Sequence, residues 1–234
     1  MNAAWSMEEF EARLRSIGEK RYHHLHPFNE RMHAGSLTEE EFRGWVRNRF
    51  YYQVNLPVKD AFILTKLPGR DDRRRWIQRI IDHDGRAGDE GGIEKWIRLG
   101  EAVGLTREQL FDDDTVLPGA RFAVDAYVDF CRRKPWLESV ASALTELFAP
   151  DLLSRRITDV RHHYPWIATE GLEYFRARLT QQPKDIEHLL ELVLNHARTR
   201  DQQEACARAL EFKCDVLWTL LDAVELAYGS RSGR

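Results

Sequence analysis

Apolar residues recur at three- and four-residue spacing along almost the whole chain, and no stretch sustains an apolar–polar alternation. That period fits the 3.6 residues of a helical turn and not the two-residue repeat of a strand, so the chain is expected to be all-α. Ser6 with Glu9, and Thr38 with Glu41, have the spacing of a capping box, in which a hydroxyl and a carboxylate reciprocally satisfy free backbone N–H groups. Behind them Phe10, Leu14 and Ile17, and then Phe42, Trp45, Val46 and Phe50, mark the inward faces of two helices. Further helices are expected near 71–85, 93–103, 121–133, 137–148, 152–162, 170–179, 186–198 and 202–228. Pro57 is expected to kink or end the second long helix, because proline lacks a backbone donor and crowds the preceding turn. Pro118-Gly119, Pro150, Pro165 and Pro183 read as punctuation, and 84–92 is a loop rich in Gly and Asp. That loop is too short for a domain linker, and no repeat or low-complexity tract is present. One compact multi-helix bundle over residues 1–234 is expected, with a short polar tail from about residue 229.

Size and charge narrow the classes of function. At 234 residues, 43% hydrophobic and 31% charged, the chain has a globular balance, and its formal net charge of -3 argues against nucleic acid as a partner. No run of 18 apolar residues would span a membrane, and the N-terminus lacks the pattern of a secretory signal, so a cytoplasmic location is expected. Cys131, Cys206 and Cys214 form no CxxC pair and fall in helical, partly apolar patterns, so they read as buried free thiols.

The informative residues are those that break amphipathicity. Arg49 shares a face with Trp45, Val46 and Gln53; Arg79 and His83 lie one turn apart beside Trp76 and Ile80. Arg156 sits among Leu152, Leu153, Ile157 and Val160, Lys213 falls between Leu210 and Leu217, and Tyr174 meets Arg178 at i, i+4. Any one of these cations could snorkel at a rim or form half of an internal ion pair. Inward cations on five different helices are better explained by a shared pocket for a small polyanion, since an unpaired buried cation costs several kcal/mol. Arginine suits that task because its planar fork pairs with carboxylates two-to-two.

Histidines cluster in Tyr22-His23-His24-Leu25-His26-Pro27, and His83, ending a helix beside Arg79, is the best placed for proton transfer near neutral pH. Glu30-x-x-His33 and Asp159-x-x-His162 match the spacing of di-iron helical bundles, but the further inward glutamates are not evident. Zinc, calcium, phosphate-loop, dinucleotide and nucleophile-elbow motifs are absent.

Several runs taken together resemble the pyrroloquinoline-quinone synthase family: Tyr22 to Pro27, Asn48-Arg49-Phe50-Tyr51-Tyr52-Gln53, Ile81-Asp82-His83-Asp84-Gly85, Leu117-Pro118-Gly119-Ala120-Arg121-Phe122, Leu144-Thr145-Glu146-Leu147-Phe148-Ala149-Pro150 and Glu211-Phe212-Lys213-Cys214-Asp215. The resemblance extends from about residue 8 to about residue 228. It implies a haem-oxygenase-like bundle, a homodimer, and no haem, metal or flavin cofactor. It also implies ring closure and eight-electron oxidation of a polycarboxylate quinoid precursor, with dioxygen as co-substrate and pyrroloquinoline quinone and hydrogen peroxide as products. By the same resemblance, His83, Tyr174, Arg178 and His23 are the expected catalytic residues, with His83 the general base and Tyr174 and Arg178 closing over the substrate. Tyr22, Arg49, Gln53, Lys59, Arg79, Tyr127, Thr145, Glu146, Arg156 and Lys213 are the expected substrate-binding residues. One departure stands out: three residues after Pro150 the family often has histidine, and here Leu153 takes that place, so His23 or His24 would have to substitute. The competing readings are a di-iron oxidase, a thiaminase-like hydrolase that needs a nucleophilic cysteine, and a non-catalytic carrier of the quinone.

Overall fold

The computed structural model describes residues 3–229; the start of the N-terminal segment, Met1-Asn2, and the polar tail from Ser230 onward lie outside the described residues. Within them the chain forms eleven α-helices and four short 3-10 segments, and no strand beyond an isolated bridge between Arg86 and Asp89. Helix α1 (Met7–Arg21) starts on the Ser6–Glu9 capping box and α3 (Glu39–Leu64) on the Thr38–Glu41 box, both with their two reciprocal hydrogen bonds made. A short α2 (Pro27–His33) lies between them, with His26 as its cap and Pro27 in its first turn.

Pro57 does not end α3. The helix forgoes the bond to the Gln53 carbonyl and runs on to Leu64, because Lys59, Asp60 and Ile63 beyond the proline are all buried. The same correction applies to Pro183. Two helices were expected around it, but α10 (Glu173–His196) passes straight through, with Gln182, His188 and Leu189 buried. The expected helix over 137–148 is in fact α8 (Trp136–Ser142) followed by a 3-10 segment (Ala143–Phe148).

Helices α4 (Arg70–Asp84), α5 (Gly91–Ala102), α7 (Pro118–Arg133), α9 (Ala149–His163) and α11 (Arg200–Tyr228) fall within a few residues of expectation, and α6 (Arg107–Phe111) was not anticipated. Phe130 stacks on Phe212 at 4.5 Å, and Gly119 lies against Ala223, so α7 and α11 pack antiparallel along their length. Helix α3 packs against α4, α5, α7 and α11, which places its middle turns at the centre of the bundle. Between α4 and α5 the chain turns through Gly85, Gly88 and Gly91, all at positive φ. At Gly91 a Cβ would also come within 2.4 Å of the Gly85 nitrogen, so no other residue fits the turn. That turn sets α5 directly against the end of α4, where His83 sits.

A cationic cavity at the centre of the bundle

The middle of α3 faces a cavity walled by side chains from several helices. One helical face of α3 contributes Arg49, Gln53 and Asp60, with Tyr52 and Lys59 beside them. Arg79 and His83 enter one turn apart from α4, Arg156 from α9, and Tyr174, Arg178 and Gln182 at i, i+4, i+8 from α10. Tyr22 and His23 close one side, and Thr145 and Glu146 of the 3-10 segment another. Twelve of the fourteen expected site residues therefore line one space. The other two, Tyr127 and Lys213, lie just behind it: the Lys213 ammonium sits 4.1 Å from the Tyr52 ring centroid and 3.6 Å from that of Tyr127.

The walls are charged and incompletely paired. Glu146 accepts from Arg79 and lies 3.8 Å from Arg178. Asp185 lies 3.4 Å from Arg178 and 3.6 Å from Arg79, and Asp60 pairs with Lys59 at 2.7 Å. Among the described residues, Arg49 stacks on Tyr52 at 3.9 Å and meets no carboxylate; Arg156 donates to the neutral Asn29 and lies over Trp45, and Lys213 has no hydrogen-bond partner. Six cations thus meet three carboxylates in this network, a formal excess of three positive charges.

Burial and the neighbouring guanidinium groups act together on the titrating residues. Burial, then Arg178, Lys59 and Arg79, hold His83 well below its ordinary value, so its imidazole is neutral at neutral pH. His23 is lowered in the same way by burial and then by Arg49 and Arg156. Burial pulls even Arg156 down, to about 10. Burial works against ionisation of Glu146, but Arg79, Arg178 and Lys59 outweigh it and keep the carboxyl below its usual range.

Buried polar atoms without a partner collect here: His83 Nδ1, Arg79 Nε, Arg156 Nε, Gln182 Oε1, Glu146 Oε2 and Lys213 Nζ. Native interiors leave few such atoms, and a group of them around one cavity marks a place where a polar ligand completes the bonding. Tyr174 already points inward, donating to Gln53 Oε1 at 3.0 Å and meeting Trp96 edge-on. Gly92 lets α5 approach this closely: a Cβ there would meet His83 Nδ1 at 3.2 Å and the Tyr174 ring at 3.4 Å.

The other sequence signals go elsewhere. His33 and Asp159 pair with each other at 2.8 Å while Glu30 and His162 are exposed, so the two carboxylate-x-x-histidine runs do not converge as di-iron ligands do. Cys131, Cys206 and Cys214 are buried and none lines the cavity. Burial raises all three thiols, Cys206 and Cys214 to about 12, which removes the nucleophile a thiaminase-like reaction requires. Leu153 lines the cavity, as does His23, whereas His24 faces an outer cleft with Arg15, Glu19 and Asp151. Of the two histidines considered as substitutes at the Leu153 position, His23 alone is in place. Sequence reasoning did not single out Asn29, Asp60, Gln182 or Asp185. The last two lie on the Arg178 face of α10 and were hidden by the break expected at Pro183.

Fold and chain both have relatives. A haem-oxygenase-like domain from Shewanella denitrificans OS217 superposes with a TM-score of 0.72 at 13% identity, covering 97% of this chain and 95% of that one. A TenA homologue from P. horikoshii OT3 gives 0.71 at 15% identity, over 96% and 99%. At such identities the likeness establishes the haem-oxygenase-like fold. The model of the TENA/THI-4/PQQC family matches residues 11–223, and the chain belongs to that family. Within it, the pyrroloquinoline-quinone synthase of Ectopseudomonas mendocina (strain ymp) is 55% identical over 226 residues, 97% of this chain and 90% of that protein. The synthase of Cronobacter sakazakii (strain ATCC BAA-894) is 52% identical over 221 residues, 94% and 88%.

Proposed function

We infer that this chain catalyses the pyrroloquinoline-quinone synthase reaction, closing a ring of a polycarboxylate quinoid precursor and removing eight electrons with dioxygen as oxidant. The observation that carries the reading is the excess of three positive charges around a cavity whose walls also hold a neutral, unpartnered imidazole. Arg49 and Arg156 are the cations left free for carboxylates, since neither is paired with an anion among the described residues. Arg79 and Arg178 are held in place by Glu146 and Asp185 and offer their remaining donors.

In this reading His83 takes protons from ring carbons as electrons leave. It is suited to the role because it lines the cavity in its neutral form and surrounding cations stabilise the negative charge that develops on substrate and reduced oxygen. The substrate's own quinoid system carries the electrons, so the proposal includes no metal, haem or flavin. Tyr174, held by Gln53, presents its phenol at the same wall. A homodimer working in the cytoplasm completes the proposal. Among the described residues no helix is long and apolar enough to cross a membrane.

The test is direct: metal-free protein is mixed with the precursor in an oxygen electrode while the quinone absorbance is followed. Oxygen uptake with growth of the product band is expected. Binding of the quinone without oxygen uptake would make the chain a carrier, and turnover only after iron is added would make it an iron oxidase.

A further inference from the structure

Asn29 is fully buried on α2, outside the cavity lining, and touches two residues of the cavity wall. Its Oδ1 accepts from Arg156 at 2.7 Å, and its Nδ2 donates to the His23 carbonyl oxygen at 2.7 Å. A guanidinium can only donate and a carbonyl can only accept, so these two contacts fix which end of the amide is oxygen and which is nitrogen. The amide nitrogen also lies 3.2 Å from His23 Nδ1. With the amide orientation set, that ring nitrogen must be the acceptor. The hydrogen of the neutral imidazole therefore sits on Nε2, the ring nitrogen that makes no hydrogen bond among the described residues, in a side chain that lines the cavity.

We propose that Asn29 is a positioning residue for the reaction: one buried amide fixes His23 as the Nε2–H tautomer, a hydrogen-bond donor toward the substrate, and at the same time aims Arg156. The local sequence explains why the amide can do this. The His26 side chain accepts from the Phe28 backbone N–H at 3.0 Å and Pro27 opens α2, which seats Asn29 in the first turn. His26 itself is tied to Asp222 at 3.1 Å, so the turn is anchored to α11. A donor at His23 complements the other side of the cavity, where the neutral His83 imidazole lies. Reading the contact as part of the reaction rests on the cavity being the substrate site; the tautomer itself does not.

The proposal is tested with protein labelled with 15N at histidine, the His23 signal being assigned from a His23→Gln variant. In the unaltered protein the shifts should show a bare Nδ1 and a protonated Nε2. In Asn29→Asp the carboxylate still accepts from Arg156 but cannot donate to His23, so the hydrogen should move to Nδ1. The kcat should fall about tenfold or more, the scale seen when an orienting partner is lost, with a smaller change in KM. Asn29→Leu removes both contacts and should raise KM as well. If the unaltered protein carries its hydrogen on Nδ1, the assignment is wrong whatever the activity. If Asn29→Asp moves the hydrogen but leaves kcat unchanged, Asn29 orients His23 without consequence for the reaction, and its role in turnover is refuted. Failure of every protein, unaltered chain included, to oxidise the precursor would instead refute the functional reading and leave the tautomer result standing.

Discussion

Replacing Lys213 with methionine should make the protein more stable and a poorer binder. Lys213 is 1% exposed, its ammonium makes no hydrogen bond, and burial followed by Arg49 and Lys59 drives its pKa well below the ordinary lysine value. Exchanging buried charges for apolar groups of similar shape is often stabilising, by about 1–4 kcal/mol. Against this stands the loss of two cation–π contacts, each worth up to about 2 kcal/mol when desolvated. A thioether over the same two tyrosine rings recovers roughly 0.3–1.5 kcal/mol per contact. Because burial opposes the ammonium more than the rings support it, the variant's Tm should rise at neutral pH. The pH dependence identifies the cause. A lysine whose folded pKa is depressed leaves the unfolded chain binding more protons between that value and about 10.5, so native stability rises with pH across that window. The methionine variant lacks this slope, and the two melting curves should be furthest apart at the low end of the window and converge toward about pH 10. Thermal melts from pH 7 to 10 supply the measurement. Where the solution is acidic enough for the folded Lys213 to hold its proton, affinity for the quinone product should fall about tenfold, because a unit charge ~10 Å from a carboxylate contributes about 1–2 kcal/mol at an effective dielectric of about 20. A lower Tm at every pH, with no convergence, would mean that the rings fully compensate the ammonium and that it is a structural cation.

Four further outcomes follow from the same geometry. His83→Ala should bind the precursor anaerobically with near-native affinity yet lose about 10²–10⁴-fold in rate, since the cations remain and the base is gone; stopped-flow absorbance checks this, and native turnover would reject the base. Arg49→Gln removes a cation that no protein carboxylate needs, so stability should change little while product affinity drops by about 1.5–3 kcal/mol, read by calorimetric titration. Gly92→Ala places a methyl 3.2 Å from His83 Nδ1 and 3.3 Å from the Asp82 carbonyl oxygen; it should cost about 1–3 kcal/mol in stability and lower kcat, checked by melting and steady-state rates. On acidification, His23 and His83, both held well below 6.5, and His33, lowered to about 4, should cost stability as pH falls below about 6.5, because the unfolded chain takes up protons the folded one refuses; Tm across pH 4–8 gives the slope.

Much of this was legible in the amino-acid pattern, and the gaps have physical causes. Capping boxes and helical spacing located most helices, because those signals are local. The continuation of α3 past Pro57 and of α10 past Pro183 was not legible, because tertiary burial of Lys59, Ile63, Leu189 and Leu192 overrides a lost backbone bond. Inward cations revealed the cavity because charge on an apolar face has few explanations. Their partners Asp60 and Asp185, and the amide of Asn29, stayed hidden because a carboxylate or amide in a polar stretch of helix looks like a surface residue until the packing is known. Tyr127 and Lys213 stand one layer behind the wall for the same reason: spacing gives the face of a helix but not the depth at which its side chain stops.

In the proposed reaction, cations in the bundle's interior receive the substrate's carboxylates beside an imidazole base. A crystal structure of the protein with pyrroloquinoline quinone tests this placement. The quinone should lie in the cavity with carboxylates on Arg49 and Arg156 and a ring atom within hydrogen-bonding reach of His83. A quinone seated in the outer cleft beside His24, with the cavity arginines unengaged, would contradict it.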